Sequence, residues 1–170
     1  FDPCSQPLIV AGRMPPNSHV ESILQLSEQL NAPIFADTLS QLRFYKKHPN
    51  IVTGYHHFLK NIDFTPDIVI RFGQKPVSKI LNHKLDRWKE FTYLVDQYGH
   101  FNDDCPHVID NNIPDFCNYM FSNTTILGKQ NWIEYVQSLE LSVKKTIETH
   151  KTNEFEGNIA QICVNFLHSG

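Results

Sequence analysis

Residues 67–79 read Asp67-Ile68-Val69-Ile70-Arg71-Phe72-Gly73-Gln74-Lys75-Pro76-Val77-Ser78-Lys79, and this stretch decides the fold. Ile68 to Phe72 is a short β-branched and aromatic run, the pattern of a strand buried on both faces. Gly73 ends the run, a proline-containing turn follows, and Ser78 to Leu85 reads as a helix. The same order occurs nearer the N-terminus. Leu8-Ile9-Val10-Ala11 is closed by Gly12, then come Pro15 and Pro16, and Ser18 and Glu21 have the spacing of a capping box. Val20, Ile23, Leu24 and Leu30 then share one helical stripe running to Asn31.

Further strands are expected at Pro33–Asp37, Phe91–Asp96 (followed by Gly99) and Cys105–Asp110. Further helices are expected at 39–47, Tyr55–Lys60, Pro114–Phe121, Asn131–Lys151 and Glu156–Leu167. Strands alternating with helices imply an α/β, Rossmann-like, three-layer domain with a mainly parallel sheet and a helical C-terminal tail. The polar stretch Ser122-Asn123-Thr124-Thr125 divides the chain into an α/β core over 1–125 and C-terminal helices over 126–170.

The composition fits one domain. The chain has 170 residues, 41% hydrophobic and 19% charged, which supports a core and argues against disorder. Fifteen Lys and Arg against eighteen Asp and Glu give a net charge of −3, which removes the electrostatic reason to expect nucleic acid. No apolar run approaches the ~18–20 residues that span a bilayer. Cys4, Cys105, Cys117 and Cys163 form no close pair and read as reduced thiols in a cytoplasmic protein. The chain opens Phe1-Asp2-Pro3 without Met and ends on Phe166-Leu167-His168-Ser169-Gly170, which reads either as residues left out or as an excised domain.

Open parallel sheets place ligands at the carboxyl ends of their strands. That rule selects Gly12-Arg13, Asp37, Arg71-Phe72-Gly73 and Val77-Ser78-Lys79. A dinucleotide site needs Gly-x-Gly-x-x-Gly after the first strand, and here Gly12-Arg13-Met14-Pro15-Pro16 has one glycine and two prolines. No specific NAD or FAD binding is expected, and no phosphate-cradling Gly-Lys-Ser/Thr loop occurs. His100, Asp103, Cys105 and His107 have zinc-ligand side chains, but their spacing matches no established pattern and no metal site is expected. Neither the serines nor the cysteines sit in a nucleophile setting, so no catalytic residue is assigned. Arg71, Lys75, Lys79 and Arg43 are cations at strand ends and helix starts. There they oppose the helix dipole, which points to an anionic ligand. They read equally as ordinary surface cations.

These residues also carry a resemblance. Ala36-Asp37-Thr38-Leu39-Ser40-Gln41-Leu42-Arg43 resembles an Ala-Asp-Pro-Leu-Ser-x-Leu-Arg segment, with Thr38 in place of proline. Pro66 to Lys79 resembles Pro-Asp-x-x-Ile-Arg-Phe-Gly-x-x-Pro-x-Ser-Lys. Both belong to the family of 2-succinyl-5-enolpyruvyl-6-hydroxy-3-cyclohexene-1-carboxylate synthase, a thiamine-diphosphate transferase of menaquinone (vitamin K2) biosynthesis. Gln6 to Gly12 fits the start of its central domain, and Phe155-Glu156-Gly157 fits the lead-in to its third.

The resemblance implies a parent enzyme of three domains, a dimer or tetramer. It would use thiamine diphosphate and Mg2+ (or Mn2+) to decarboxylate 2-oxoglutarate and join the product to isochorismate. This chain would be the middle domain, with no cofactor of its own and no activity alone. Lys79 would bind a substrate carboxylate, with Arg71, Arg43, Ser40 and Ser78 as weaker candidates. Other readings stay open: the central domain of another thiamine-diphosphate enzyme, a stand-alone nucleotide- or anion-binding domain, or a structural dimerisation module.

Overall fold

A computed structural model of the chain describes residues 6–15, 20–45, 47–99, 103–150 and 158. Six strands form one all-parallel sheet: β1 (Pro7–Ala11), β2 (Ile34–Ala36), β3 (Ile51–Val52), β4 (Ile68–Phe72), β5 (Thr92–Val95) and β6 (His107–Ile109), in the order β3-β2-β1-β4-β5-β6. The helices whose bounds lie within the described residues are α1 (Val20–Leu30), α2 (Leu42–Tyr45), α3 (Tyr55–Phe58), α4 (Lys79–Arg87), α5 (Ile113–Asn123) and α6 (Gln130–Thr149). The α/β, three-layer architecture is the expected one.

The continuous apolar strands follow from burial on both sides. Every residue of β1 and β4 is buried. Alternate side chains point to opposite faces, so each strand feeds two cores. Ile9, Ala11, Ile34, Ile70 and Phe72 meet Ile23 and Leu24 of α1 and Phe116 and Cys117 of α5. Leu8, Val10, Phe35, Val52 and Val69 meet Tyr55 and Phe58 of α3, Leu81 and Leu85 of α4, and Trp132 and Val136 of α6. Phe35 stacks on Tyr55 at 5.1 Å, and Phe64 meets Trp132 edge-on at 5.0 Å, so aromatic contacts tie this second core together.

The helix α6 is anchored at both ends of its buried face. Trp132 Nε1 donates to the carbonyl of Pro7 at 2.8 Å, where β1 begins. One turn past Val136, Glu140 is buried and receives Gly54 N at 2.7 Å on one oxygen and Thr53 N at 3.1 Å and Thr53 Oγ1 at 2.9 Å on the other. Lys144, on the exposed side, completes the set at 3.1 Å. Glu140 thus supplies the acceptors that the turn into α3 lacks, because Gly54 has no capping side chain. A Cβ on Gly54 would stand 2.8 Å from this carboxylate, so the glycine is what lets the two elements approach.

Three local expectations change. The pair Ile51–Val52 is an edge strand that the sequence did not announce, since two residues show no periodicity. The helix expected at 39–47 is confined to Leu42–Tyr45 among the described residues. Its first half is instead a turn: Leu39 N donates to Asp37 Oδ1 at 3.1 Å, Ser40 N to the Asp37 carbonyl at 3.0 Å, and Gln41 adopts φ +63°. The helix expected at Tyr55–Lys60 stops at Phe58, whose carbonyl takes Asn61 N and Ile62 N. The proposed Ser18 cap, Cys4, Cys163, His100 and, apart from helical Asn158, the helix Glu156–Leu167 lie outside the described residues.

Candidate functional site

All six strands run in one direction, so their carboxyl ends share one edge. The strand order reverses between β1 and β4, the usual position of a ligand crevice. Here the chain itself fills that position. Gly12 N donates to the Phe72 carbonyl at 2.9 Å and Gln74 N to the Arg13 carbonyl at 3.0 Å, and Arg13 pairs with Gln74 as an antiparallel bridge. A Cβ on Gly12 would sit 1.7 Å from the Gln74 carbonyl oxygen, and Gly73 takes φ +76° with the Arg13 carbonyl 2.3 Å from where its Cβ would be. The two glycines allow backbone to lie where a dinucleotide or diphosphate would otherwise rest.

A second cluster lies where the chain leaves β2, β3 and β4. Asp37, buried at the end of β2, is its centre. Its Oδ1 takes Leu39 N, while its Oδ2 takes Val77 N at 2.9 Å and faces Tyr55 Oη at 3.5 Å. Three loops therefore converge on one carboxylate. Tyr55 has its pKa raised by burial first and by the neighbouring Asp37 charge second, with Arg43 opposing. Ser40 is buried and donates Oγ to the Asp37 carbonyl at 2.7 Å, which holds the turn rather than facing outward.

Ser78 caps α4, accepting Leu81 N at 3.3 Å, and its Oγ lies 3.1 Å from His56 Nδ1. Lys79 is the first residue of α4 and is exposed. No described residue forms an ion pair with it. Arg43 stands half-buried on α2, close enough to Tyr55 to oppose the rise in its pKa. Ser40 and Ser78 thus lie in the segments that meet at Asp37, with Lys79 next to Ser78 in the chain and Arg43 near Tyr55.

Arg71 is not with them. It is 2% exposed, on the α4 side of the sheet, and its guanidinium contacts the Asp103 carboxylate. Lys75 is likewise matched by Asp104, and Lys84 reaches Asp63 at 2.6 Å. Cys105 and His107, the other described members of the His/Cys/Asp cluster, bond to backbone carbonyls. Cys105 Sγ donates to the Thr92 carbonyl at 3.3 Å, and His107 Nε2 lies 2.9 Å from the Glu90 carbonyl. Among the described residues no group of three His, Cys, Asp or Glu side chains could hold a metal ion.

A family model described as the middle domain of thiamine pyrophosphate matches residues 5–168. The chain belongs to that family. Among its relatives is the 2-succinyl-5-enolpyruvyl-6-hydroxy-3-cyclohexene-1-carboxylate synthase of Staphylococcus haemolyticus, 32% identical over 150 residues, 86% of this chain and 26% of the relative. The protein of the same name from Bacillus pumilus is 32% identical over 164 residues, 89% of this chain and 28% of the relative. That from Lactococcus lactis subsp. cremoris is 31% identical, over 92% of this chain and 29% of the relative. This chain therefore spans little more than a quarter of the length of these relatives, as a thiamine pyrophosphate middle domain of such a synthase does. Among the described residues, backbone lies across the strand-end crevice between β1 and β4, so a diphosphate does not fit there.

Sequence reasoning had placed Asp37 at a strand end without a role. Tyr55 and Glu140 were missed. Tyr55 follows the unannounced strand β3, and Glu140 sits on a helix face that reads as solvated.

Proposed function

We propose that this chain is the middle domain of a three-domain, thiamine-diphosphate-dependent synthase that adds decarboxylated 2-oxoglutarate to isochorismate, and that Lys79 donates to a carboxylate of the anionic acceptor. The observation that supports this reading is the contrast among the cations. Arg71, Lys75 and Lys84 are each matched by an acid, whereas Lys79 is exposed at the first turn of α4 with no described ion-pair partner. A lysine there opposes the helix dipole unless an anion meets it. Its ammonium would act as a positioning donor, not a proton shuttle. Arg43 is the second candidate. Ser78 and Ser40 hold the loops that carry these cations, and Arg71 holds the β5–β6 loop through Asp103. The rest of the parent chain would supply the cofactor site, the second wall of the substrate site and the oligomer contacts of a cytoplasmic enzyme.

The test uses the full-length protein. Lys79→Ala removes one charge-assisted hydrogen bond, about 1.5–3 kcal/mol or roughly 10–150-fold in kcat/KM. The loss appears mainly as a higher KM for the acceptor, and Lys79→Arg recovers part of it. A kcat/KM within about threefold of wild type in Lys79→Ala would remove this residue from the site. For the 170-residue chain alone, calorimetry with thiamine diphosphate and Mg2+ is expected to show no binding. Stoichiometric micromolar binding would show that this domain holds the cofactor after all.

A further inference from the structure

We propose that Asp37 is a positioning residue for Lys79, fixing the turn that carries Ser78 and Lys79 against the β2–α2 loop. This rests on the assignment of Lys79 made above. The turn from Gly73 to Ser78 leaves β4 and must present the first residue of α4 at one place on the rim. Its near end is fixed by Gln74 N on the Arg13 carbonyl. Its far end is fixed by Val77 N, two residues before Lys79, on Asp37 Oδ2 at 2.9 Å. The carboxylate is well placed for this work. It is 1% exposed, so its oxygens have little water to turn to in place of these amides. Its other oxygen is occupied by Leu39 N, and the chain on both sides is locked, by Asp37 N on the Ala11 carbonyl at 2.9 Å and by Ser40 Oγ on the Asp37 carbonyl. Tyr55 Oη stands against Oδ2 from α3, and His56, next in that helix, reaches Ser78 Oγ. The α3 and α2 loops thus grip the start of α4 from one side, through one anionic hub.

A cation that only decorates the surface needs no such support. One that must meet a carboxylate within hydrogen-bonding reach does, because a misplacement of about 1 Å is enough to lose most of the benefit of positioning.

Asp37→Asn tests this in the full-length protein. The side chain keeps its shape and one acceptor but sets an amide group against Val77 N or Leu39 N. Hydrogen exchange read by mass spectrometry is expected to speed up about tenfold or more in peptides covering 73–79, with 66–72 unchanged. KM for the anionic acceptor should rise toward the Lys79→Ala value, with kcat and thiamine-diphosphate affinity within about twofold. The double variant should be no worse than Lys79→Ala alone, because the two residues act through one contact. Unchanged exchange at 73–79, or losses that add in the double variant, would overturn the proposal. If Lys79→Ala leaves KM untouched while Asp37→Asn still loosens 73–79, the assignment of Lys79 fails and the hold of Asp37 on the turn stands. Should Asp37→Asn not fold, the wild-type rate decides: protection of about 100-fold at Val77 supports the clamp, and free-chain exchange there refutes it.

Discussion

Glu140 makes the strongest test of how this domain is assembled. It sits on α6, is 3% exposed, and accepts from Gly54 N, Thr53 N and Thr53 Oγ1, three donors more than eighty residues away in sequence. Glu140→Ala leaves the two amide groups beneath α6 without an acceptor. Each such group costs about 1–3 kcal/mol when water cannot reach it, and the two share one site, so the total is about 3 kcal/mol. For a domain of this length that is a fall in Tm of roughly 6–12 °C. Lys144 is a useful control. Its side chain is 57% exposed, so Lys144→Ala should change stability by less than about 0.5 kcal/mol. Thermal unfolding by circular dichroism at pH 7 reads both. Burial pushes the pKa of Glu140 up, but the Gly54 and Thr53 amides, Lys144 and the Thr53 hydroxyl together hold it below the ordinary 4.5. A carboxyl with a lowered folded pKa stabilises above its unfolded value and loses that contribution as pH falls through the folded one. Wild type should therefore lose stability below pH 4.5, and Glu140→Gln should flatten that part of the curve. A Glu140→Ala protein within about 0.5 kcal/mol of wild type would refute this account of how α6 is held.

Two other outcomes follow from buried groups. Asp103→Ala leaves the guanidinium of Arg71 buried without its carboxylate, and should cost about 3–5 kcal/mol by urea unfolding; a loss under about 1 kcal/mol would show that Arg71 moves out to water. Burial pushes the Cys117 thiol up to about 12, so it should stay unreactive toward a disulfide reagent at pH 8 until urea is added, while half-exposed Cys105 reacts in the native protein.

The sheet was legible because its central strands are buried on both faces. Leu8–Ala11 and Ile68–Phe72 have no polar alternation to confuse with a helix, and each ends at a glycine that the crossing of the two loops requires. The starts of α4 and α5 were legible beside Pro76 and Pro114, and Ser78 and Asn112 cap these helices in the structure. What could not be read was set by distant partners. Two residues of β3 become a strand only because β2 lies beside them. Gln41 leaves the helical region although its neighbours favour it, since its Nε2 is drawn to the Met14 carbonyl at 3.2 Å and to that of Pro15. Arg71 and Lys79 looked alike as strand-end cations. Position 71 falls on an inward-facing strand site opposite Asp103, whereas position 79 falls on the exposed start of a helix.

That difference bears on what Lys79 is able to do. An exposed ammonium in water gains little from one carboxylate, about 0–1 kcal/mol, because solvent screens it and serves as partner. The larger effect expected for Lys79→Ala requires a second surface that covers the rim and excludes water when substrate is bound. On the proposed reading this chain would offer one wall, Lys79 and Arg43 near the Asp37 hub, beside the closed crossing of Gly12 and Gly73. Replacing Lys79 should accordingly leave any anion affinity of the 170-residue chain nearly unchanged and alter substrate affinity only in the full-length protein. Equal effects in the two contexts would mean that the isolated rim already excludes water, and the exposure of Lys79 argues against that.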